Sequence, residues 1–322
     1  MRKGRLLAAL FLLVLAAIGG HFVYGWYGPG PLDQPTTLVV PDGSTLASIA
    51  DLLETEGAIG SASDFRNHAR VFGRGARVKA GEFGLPAHAS ESQIFAILQS
   101  GKPLRRMVTI PEGMPSIMVY DRLMAQPLLT GKIDVPPEGS VLPDSYDFER
   151  GESRATVLKR MQDAMTTTVA ELWAARAPNL PVTTPEQAVT LASIVEKETG
   201  KPEERNLVAG LYENRLRQGM LLQADPTIIY PITRGKPLGR RIRQSEIQAV
   251  NDYNTYTRVG LPVGPITNPG RASIEAVLHP ADTKALYMVA DGTGGHVFAD
   301  TLEQHNENVA RWFAIRKARG DL

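Results

Sequence analysis

From Leu6 to Tyr27 the chain carries no Asp, Glu, Lys or Arg. No other stretch restricts the fold so severely. At about 1.5 Å per helical residue, these 22 positions span a hydrocarbon core of about 30 Å. Arg2, Lys3 and Arg5 precede the run, and Tyr24, Trp26 and Tyr27 close it, as basic and aromatic residues flank a membrane-crossing helix. The positive-inside rule puts the N-terminus in the cytoplasm and everything after about residue 28 outside it, held to the cell (inner) membrane by a single pass. A cleaved signal peptide is the rival reading, with Leu6–Gly20 as its apolar region and Ala17 and Gly19 as small cleavage-site residues. The apolar run continues through His21, Phe22 and Val23 into the aromatic cluster, which favours a retained anchor. Either reading exports the bulk of the chain.

The remainder of a 322-residue chain is long enough for two domains. A formal net charge of +1 and the lack of a dense basic patch argue against nucleic acid as a partner. Cysteine is absent, which excludes disulfides, thiolate metal sites and cysteine nucleophiles. The sequence contains no His-Glu-x-x-His spacing, phosphate loop or Gly-x-Ser-x-Gly, so neither metal nor cofactor is expected.

The pattern predicts an α+β protein: a transmembrane anchor over 1–27, a stiff Pro/Gly linker over 28–35, a small α+β module over 36–103, and a larger mixed α+β domain over 104–322. In the small module, strands are expected at Thr37–Val40 and Gly81–Leu85, with helices capped by Ser44 and Ser90 and a helical stretch over Ser63–Val71. This order resembles a LysM-like domain, a module that binds GlcNAc-containing glycans. Phe65 and Phe83 are candidate sugar-stacking rings, with core packing the favoured role. Further on, a strand covers Met107–Ile110, a helix begins at Ser116, and residues 131–151 read as irregular. Helices follow at Ala155–Ala175 and Pro202–Gln218. Strands Leu286–Ala290 and His296–Ala299 form a hairpin, and a closing helix runs over Leu302–Arg319. His296 and His305 are candidate catalytic residues, although a lone histidine more often has a structural role.

Thr183–Thr199 reads as a helix with Thr184 as N-cap, Pro185 at its first position and Gln187 where a capping box wants an amide. At 100° per residue, Leu191, Ala192, Ile194 and Val195 share a face, while Thr190, Ser193 and Lys197 fall opposite. Glu198 lies between Leu191 and Ile194, and Glu196 between Val189 and Ala192, so the two acids point apart. A carboxyl among aliphatic neighbours is desolvated, which raises its pKa toward that of a general acid. Periodicity alone does not choose between the two. Gln223–Thr227 and residues 251–270 supply amides and aromatic faces together, as sugar sites do.

Several ordered motifs are similar to the YceG-like, or MltG-like, family of endolytic murein transglycosylases. They are Thr190–Thr199 (TLASIVEKET), Tyr212–Arg217 (YENRLR), Gln223–Thr227 (QADPT), Tyr253–Tyr256 (YNTY), Gly260–Pro262 with Pro265–Gly270, and Gly295–Phe298 with His305-Asn306. Upstream, Ile110–Gly113, Glu138-Gly139 and Leu142–Tyr146 fit as well. The resemblance covers about residues 36–320. It implies non-hydrolytic cleavage between MurNAc and GlcNAc in peptidoglycan glycan strands, leaving 1,6-anhydroMurNAc ends and limiting strand elongation. It also implies that Glu198 is the catalytic acid, with Glu196 the second-choice acid. Gln223, Asp225, Tyr253, Asn254 and Tyr256 are the candidate substrate-binding residues, with Asp225 and Tyr256 stabilising positive charge. Peptidoglycan synthases and the elongation or division machinery are the partners implied. Family members place aromatics around the Pro-Asp of the upstream loop, where Ser140-Val141-Leu142 has none. The alternatives are a hydrolytic muramidase using Glu198 and Asp225, and a non-catalytic membrane-anchored wall-binding scaffold.

Overall fold

A computed structural model describes residues 2–73 and 78–320. The side chains of Arg2 and Lys3, part of the expected basic start, lie outside the described set. The chain divides into two compact units, Met1–Arg106 with Phe148–Gly151, and Met107–Asp147 with Glu152–Leu322.

The first unit contains α1 (Arg2–Tyr27), β1 (Thr36–Val40), α2 (Leu46–Thr55), α3 (Ala62–Phe72), β2 (Gly81–Leu85) and α4 (Glu91–Ser100). Among the described residues α1 alone is long and apolar enough to cross a membrane. β1 and β2 pair antiparallel from Thr36↔Leu85 to Val40↔Gly81, turning Leu38, Val40, Phe83 and Leu85 inward. Phe65 and Phe83 are fully buried and so are core residues, unable to stack on a sugar. Thr45, not Ser44, caps α2. Its hydroxyl accepts from Ser48 N while Ser48 Oγ accepts from Thr45 N, a reciprocal box that Ser44 is one residue too early to make. Glu82 is buried, and Arg106 (2.7 and 3.0 Å) and Arg150 (3.0 Å) hold its carboxylate. Those hydrogen bonds outweigh desolvation and keep its pKa below the ordinary value.

Trp26 belongs to this core as well as to the aromatic end of α1. It is buried, with ring centroids 5.6 Å from Phe95, 5.7 Å from Phe72 and 6.2 Å from Phe65. Gly25 permits the approach, because a Cβ there would stand 2.6 Å from the His68 ring. The segment 28–35 is also tied down: Gly30 N donates to His88 O, and His88 N to Leu32 O.

The second unit contains most of β3 (Arg105–Thr109), then α5 (Ser116–Met124), the first part of β4 (Ser145–Glu149), α6 (Arg154–Ala174), α7 (Pro185–Glu198), α8 (Arg205–Arg217), α9 (Pro226–Thr233), α10 (Gln244–Ile247), α11 (Arg271–Leu278), β5 (Tyr287–Ala290), β6 (His296–Ala299) and α12 (Leu302–Arg319). β3 pairs with β4, so the stretch 131–151 is not wholly irregular. β5 and β6 form the expected hairpin. The helix expected over Pro202–Gln218 begins instead as a 3₁₀ turn, Pro202–Glu204, before α8.

α7 packs against α6, α8, α9 and α11, and every residue from Ala188 to Val195 is buried. The polar face expected at Thr190 and Ser193 does not exist. Thr190 Oγ1 donates to Glu186 O (2.8 Å) and Ser193 Oγ to Thr190 O (2.7 Å), so both hydroxyls are satisfied within their own helix. Ser193 Oγ also accepts from Ile266 N at 3.0 Å, which ties the 251–270 loop to the middle of α7. Thr184 caps the helix, while Gln187 Oε1 reaches Thr183 N (2.7 Å), one residue before the cap.

Because Trp26 fills the first unit's core, Trp26→Ala should destabilise that unit by about 3–5 kcal/mol. Denaturant unfolding of the full chain in detergent measures this. A fragment beginning at residue 28 should show the same loss relative to one beginning at residue 22.

Candidate active site

The last residue of α7 projects its carboxyl into a polar cluster drawn from three other segments. Tyr212 and Arg215 stand at i and i+3 on α8 and therefore share a face. Asp225 sits at the start of α9, and Tyr256 comes from the long loop. Tyr256 Oη donates to Asp225 Oδ1 at 2.6 Å. Further hydrogen bonds join the two loop motifs: Gln223 N to Thr255 O (3.1 Å), Ala224 N to Thr255 Oγ1 (3.0 Å), Thr255 N to Thr227 Oγ1 (3.2 Å), and Thr227 Oγ1 with Thr255 Oγ1 (2.9 Å). Gln223 adopts φ 54°, a left-handed turn that puts its exposed side chain within 3.4 Å of Arg215 Nη1. Arg215 also donates to the carbonyls of Leu222 (2.8 Å) and Leu286 (2.6 Å), so it braces the floor of the cluster.

Burial drives the Glu198 pKa up to about 7, and the nearby Asp225 charge adds to the rise. A hydrogen bond from Tyr212 and the charge of Arg215 oppose it. Glu198 Oε1 is buried with no hydrogen-bond partner among the described residues. The result is a carboxyl that holds its proton near neutrality and has one oxygen unengaged. Burial also raises the Tyr256 and Tyr212 hydroxyls above the ordinary tyrosine range, so both remain donors.

The other sequence candidates are placed differently. Glu196 Oε2 accepts from Gly270 N (3.0 Å) and Ser273 Oγ (2.7 Å), which places its side chain at the N-terminus of α11. That fixes the long loop onto α7 and takes Glu196 away from the Glu198 cluster. Asn254 is fully buried. Its Nδ2 donates to Ile247 O (2.9 Å) and Ala249 O (2.7 Å), and its Oδ1 accepts from Tyr256 N (2.9 Å). The expected substrate contact is therefore corrected to a brace within the loop, since no polar atom is left for a ligand. Tyr253 packs on Tyr230, with ring centroids 4.7 Å apart, and lines a cavity of about 550 Å³ with Glu138 rather than the Glu198 cluster. Glu138 was not singled out as an acid by sequence, yet burial raises it to about 7 against hydrogen bonds from Ser116 and Tyr230. His296 hydrogen-bonds Glu204 through Nδ1 (2.8 Å), and His305 stacks on Tyr287 with centroids 5.2 Å apart. Sequence reading gave no role to Tyr212 or Arg215. Their shared helical face was visible in it, but the facing carboxyl was not.

The pattern that defines the YceG-like family matches residues 38–311, most of the chain. The chain belongs to the YceG-like family. This YceG-like chain is 26% identical to the endolytic murein transglycosylase of Bacillus subtilis (strain 168), over 94% of its own length and 92% of that protein. It is 28% identical to the endolytic murein transglycosylase of Streptococcus pneumoniae serotype 2 (strain D39), over 96% of its own length and 65% of that longer protein. A crystal structure of a YceG-like protein from Listeria monocytogenes is similar at a TM-score of 0.54 and 27% identity, over 85% of this chain and 98% of that one.

The raised pKa has a thermodynamic consequence. The folded value of about 7 exceeds the ordinary 4.5, so the stability associated with this group is in place below about pH 4.5 and is lost as pH rises to about 7. The loss is on the order of 3 kcal/mol. Glu198→Gln, which cannot ionise, should therefore match the wild type at pH 4 and exceed it by roughly that amount at pH 8. Urea denaturation at the two pH values checks this.

Proposed function

We propose that this protein is an endolytic murein transglycosylase that cleaves peptidoglycan glycan strands with Glu198 as its single acid–base group. The observation that carries the reading is the Glu198 carboxyl, its Oε1 buried and without a hydrogen-bond partner among the described residues, with its pKa raised to about 7 by burial and by the exposed Asp225 near it. Protonated Glu198 donates to the glycosidic oxygen, and the C1–O bond to MurNAc breaks. Positive charge then develops at C1 and its ring oxygen, beside the Asp225 carboxylate that Tyr256 orients. The MurNAc C6 hydroxyl attacks C1 and returns its proton to Glu198. The products are a 1,6-anhydroMurNAc end and a GlcNAc 4-hydroxyl, and no water is consumed. The nucleophile is part of the substrate, so positioning supplies much of the rate. Gln223 is the hydroxyl or N-acetyl contact in this arrangement, since its side chain is exposed beside the cluster.

The same reading assigns α1 as a retained single-pass anchor with the N-terminus inside and the second unit facing the wall. The strand–helix–helix–strand order of the first unit, β1-α2-α3-β2, supports a LysM-like module that contacts glycan or positions the catalytic unit. Attachment beside nascent strands supports coupling to peptidoglycan synthases.

Mass spectrometry of the products from purified glycan strands tests the reaction. Wild type should yield ends lighter by one water than hydrolysed reducing ends, and Glu198→Gln should yield none. Hydrolysed ends would establish a muramidase, and the absence of shortened strands a binding scaffold.

The pH dependence provides a separate check. Because the acid must start protonated, kcat/KM should fall as pH rises through about 7. Tyr212→Phe removes a bond to the ionised form and should move this limb to higher pH. Asp225→Asn removes the charge that opposes ionisation and should move it to lower pH, with a loss of rate.

A further inference from the structure

A cavity of about 480 Å³ adjoins the active site but has no part in the chemistry above. Lys197 and Pro226, the chain neighbours of Glu198 and Asp225, both line it. The rest of its wall is mostly aliphatic or thioether, including Met114, Met118, Ile229, Leu238 and Ile266, and its one carboxylate, Glu112, is paired with Arg205 at 3.7 Å. Its lining includes no Phe, Trp, Tyr, Asn or Gln. Sugar subsites use ring faces and side-chain amides, and this cavity offers neither. Lys197 is exposed, its Nζ lies 3.4 Å from Gly113 O, and among the described residues no carboxylate pairs with it. The other ammonium, Lys236, sits in a half-exposed pair with Asp121 at 2.9 Å, the kind of pair that exchanges partners at little cost.

The proposed substrate has two chemical halves. One is the sugar chain. The other is a short peptide rich in alanine methyls and carboxylates, borne on the 3-lactyl group of the muramoyl ring whose C1 is cut. When that C1 lies at Glu198, the peptide must leave the ring within one sugar of the carboxyl. We propose that the Lys197 cavity is the subsite for this acidic stem peptide, with Lys197 on a stem carboxylate and the Met–Ile wall against the methyl groups. The volume suits a ligand of that class. This inference rests on the reading of the chain as a peptidoglycan-cleaving enzyme.

The test uses the full-length protein in detergent and two substrates: glycan strands with intact stems, and the same strands stripped by an amidase. Wild type should prefer stem-bearing strands, mainly through KM. Lys197→Met and Leu238→Glu, which respectively remove the cation and add an opposing carboxylate, should each shrink that preference about tenfold. Thermal melting confirms that each variant is folded, and Lys197→Met decides if Leu238→Glu is not. No wild-type preference, an undiminished preference in Lys197→Met, or an equal loss on both substrates overturns the proposal. A preference that appears only on strands ending in a lipid pyrophosphate also overturns it, in favour of a lipid site. Binding of the two strand types to the Glu198→Gln protein gives the same ratio without turnover. A missing anhydro product would therefore count against the reaction assigned above and leave the stem measurement intact.

Discussion

The burial of α7 on every side from Ala188 to Val195 is the constraint on which the second unit depends. A helix packed on all sides has no solvent face, so its polar groups must be satisfied by its own backbone or by the elements around it. Thr190 and Ser193 meet that requirement inside the helix, and Ser193 Oγ also receives the Ile266 amide. Glu196 and Glu198 come after that stretch, where the helix leaves the core. Each then meets a different neighbour.

That geometry ties the long loop into the Glu198 cluster and makes it more than a surface connection. Glu196 holds its Gly270 end and the start of α11 to α7, and Ser193 holds Ile266. Asn268, fully buried, donates to Met114 O and Ser116 Oγ and accepts from Val141 N, so loop, α5 and the 138–146 segment are mutually fixed. Thr255 joins the other end to the Gln223–Thr227 turn. Asp225 and Tyr256 therefore approach Glu198 on backbone anchored at several points, which is how a loop can hold groups to the tolerance that catalysis requires.

What the sequence disclosed follows from the range of the interactions involved. The anchor, the hairpin and the cap of α7 are local, and composition, turn residues and N-cap chemistry suffice to find them. Trp26 resembled an interfacial belt residue because its partners Phe65, Phe72 and Phe95 lie some forty to seventy positions away. Thr190 and Ser193 suggested a solvent face because a hydroxyl that bonds back to its own helix looks no different in sequence from one that meets water. Asn254 suggested a sugar contact because an amide gives no sign of whether carbonyls in its own loop will claim it. Glu138 sat in a loop of unremarkable polarity, and its burial became visible only once α5 and Tyr230 had closed over it.

The two acids of α7 show most clearly how placement assigns chemistry. They are identical side chains two positions apart, on a helix that turns about 100° per residue, and so face nearly opposite ways. One meets the amide of Gly270 and the hydroxyl of Ser273 at the start of α11, a structural tie. The other is desolvated by burial and faces the like charge of Asp225, which together favour the protonated form. A hydrolytic glycosidase separates its acid from its base or nucleophile across the scissile bond. Here the second carboxylate near the acid, Asp225, is already bonded to Tyr256 Oη. In the proposed reaction it is thereby suited to fixed electrostatic stabilisation more than to nucleophilic attack, which leaves the C6 hydroxyl of the substrate as the nucleophile.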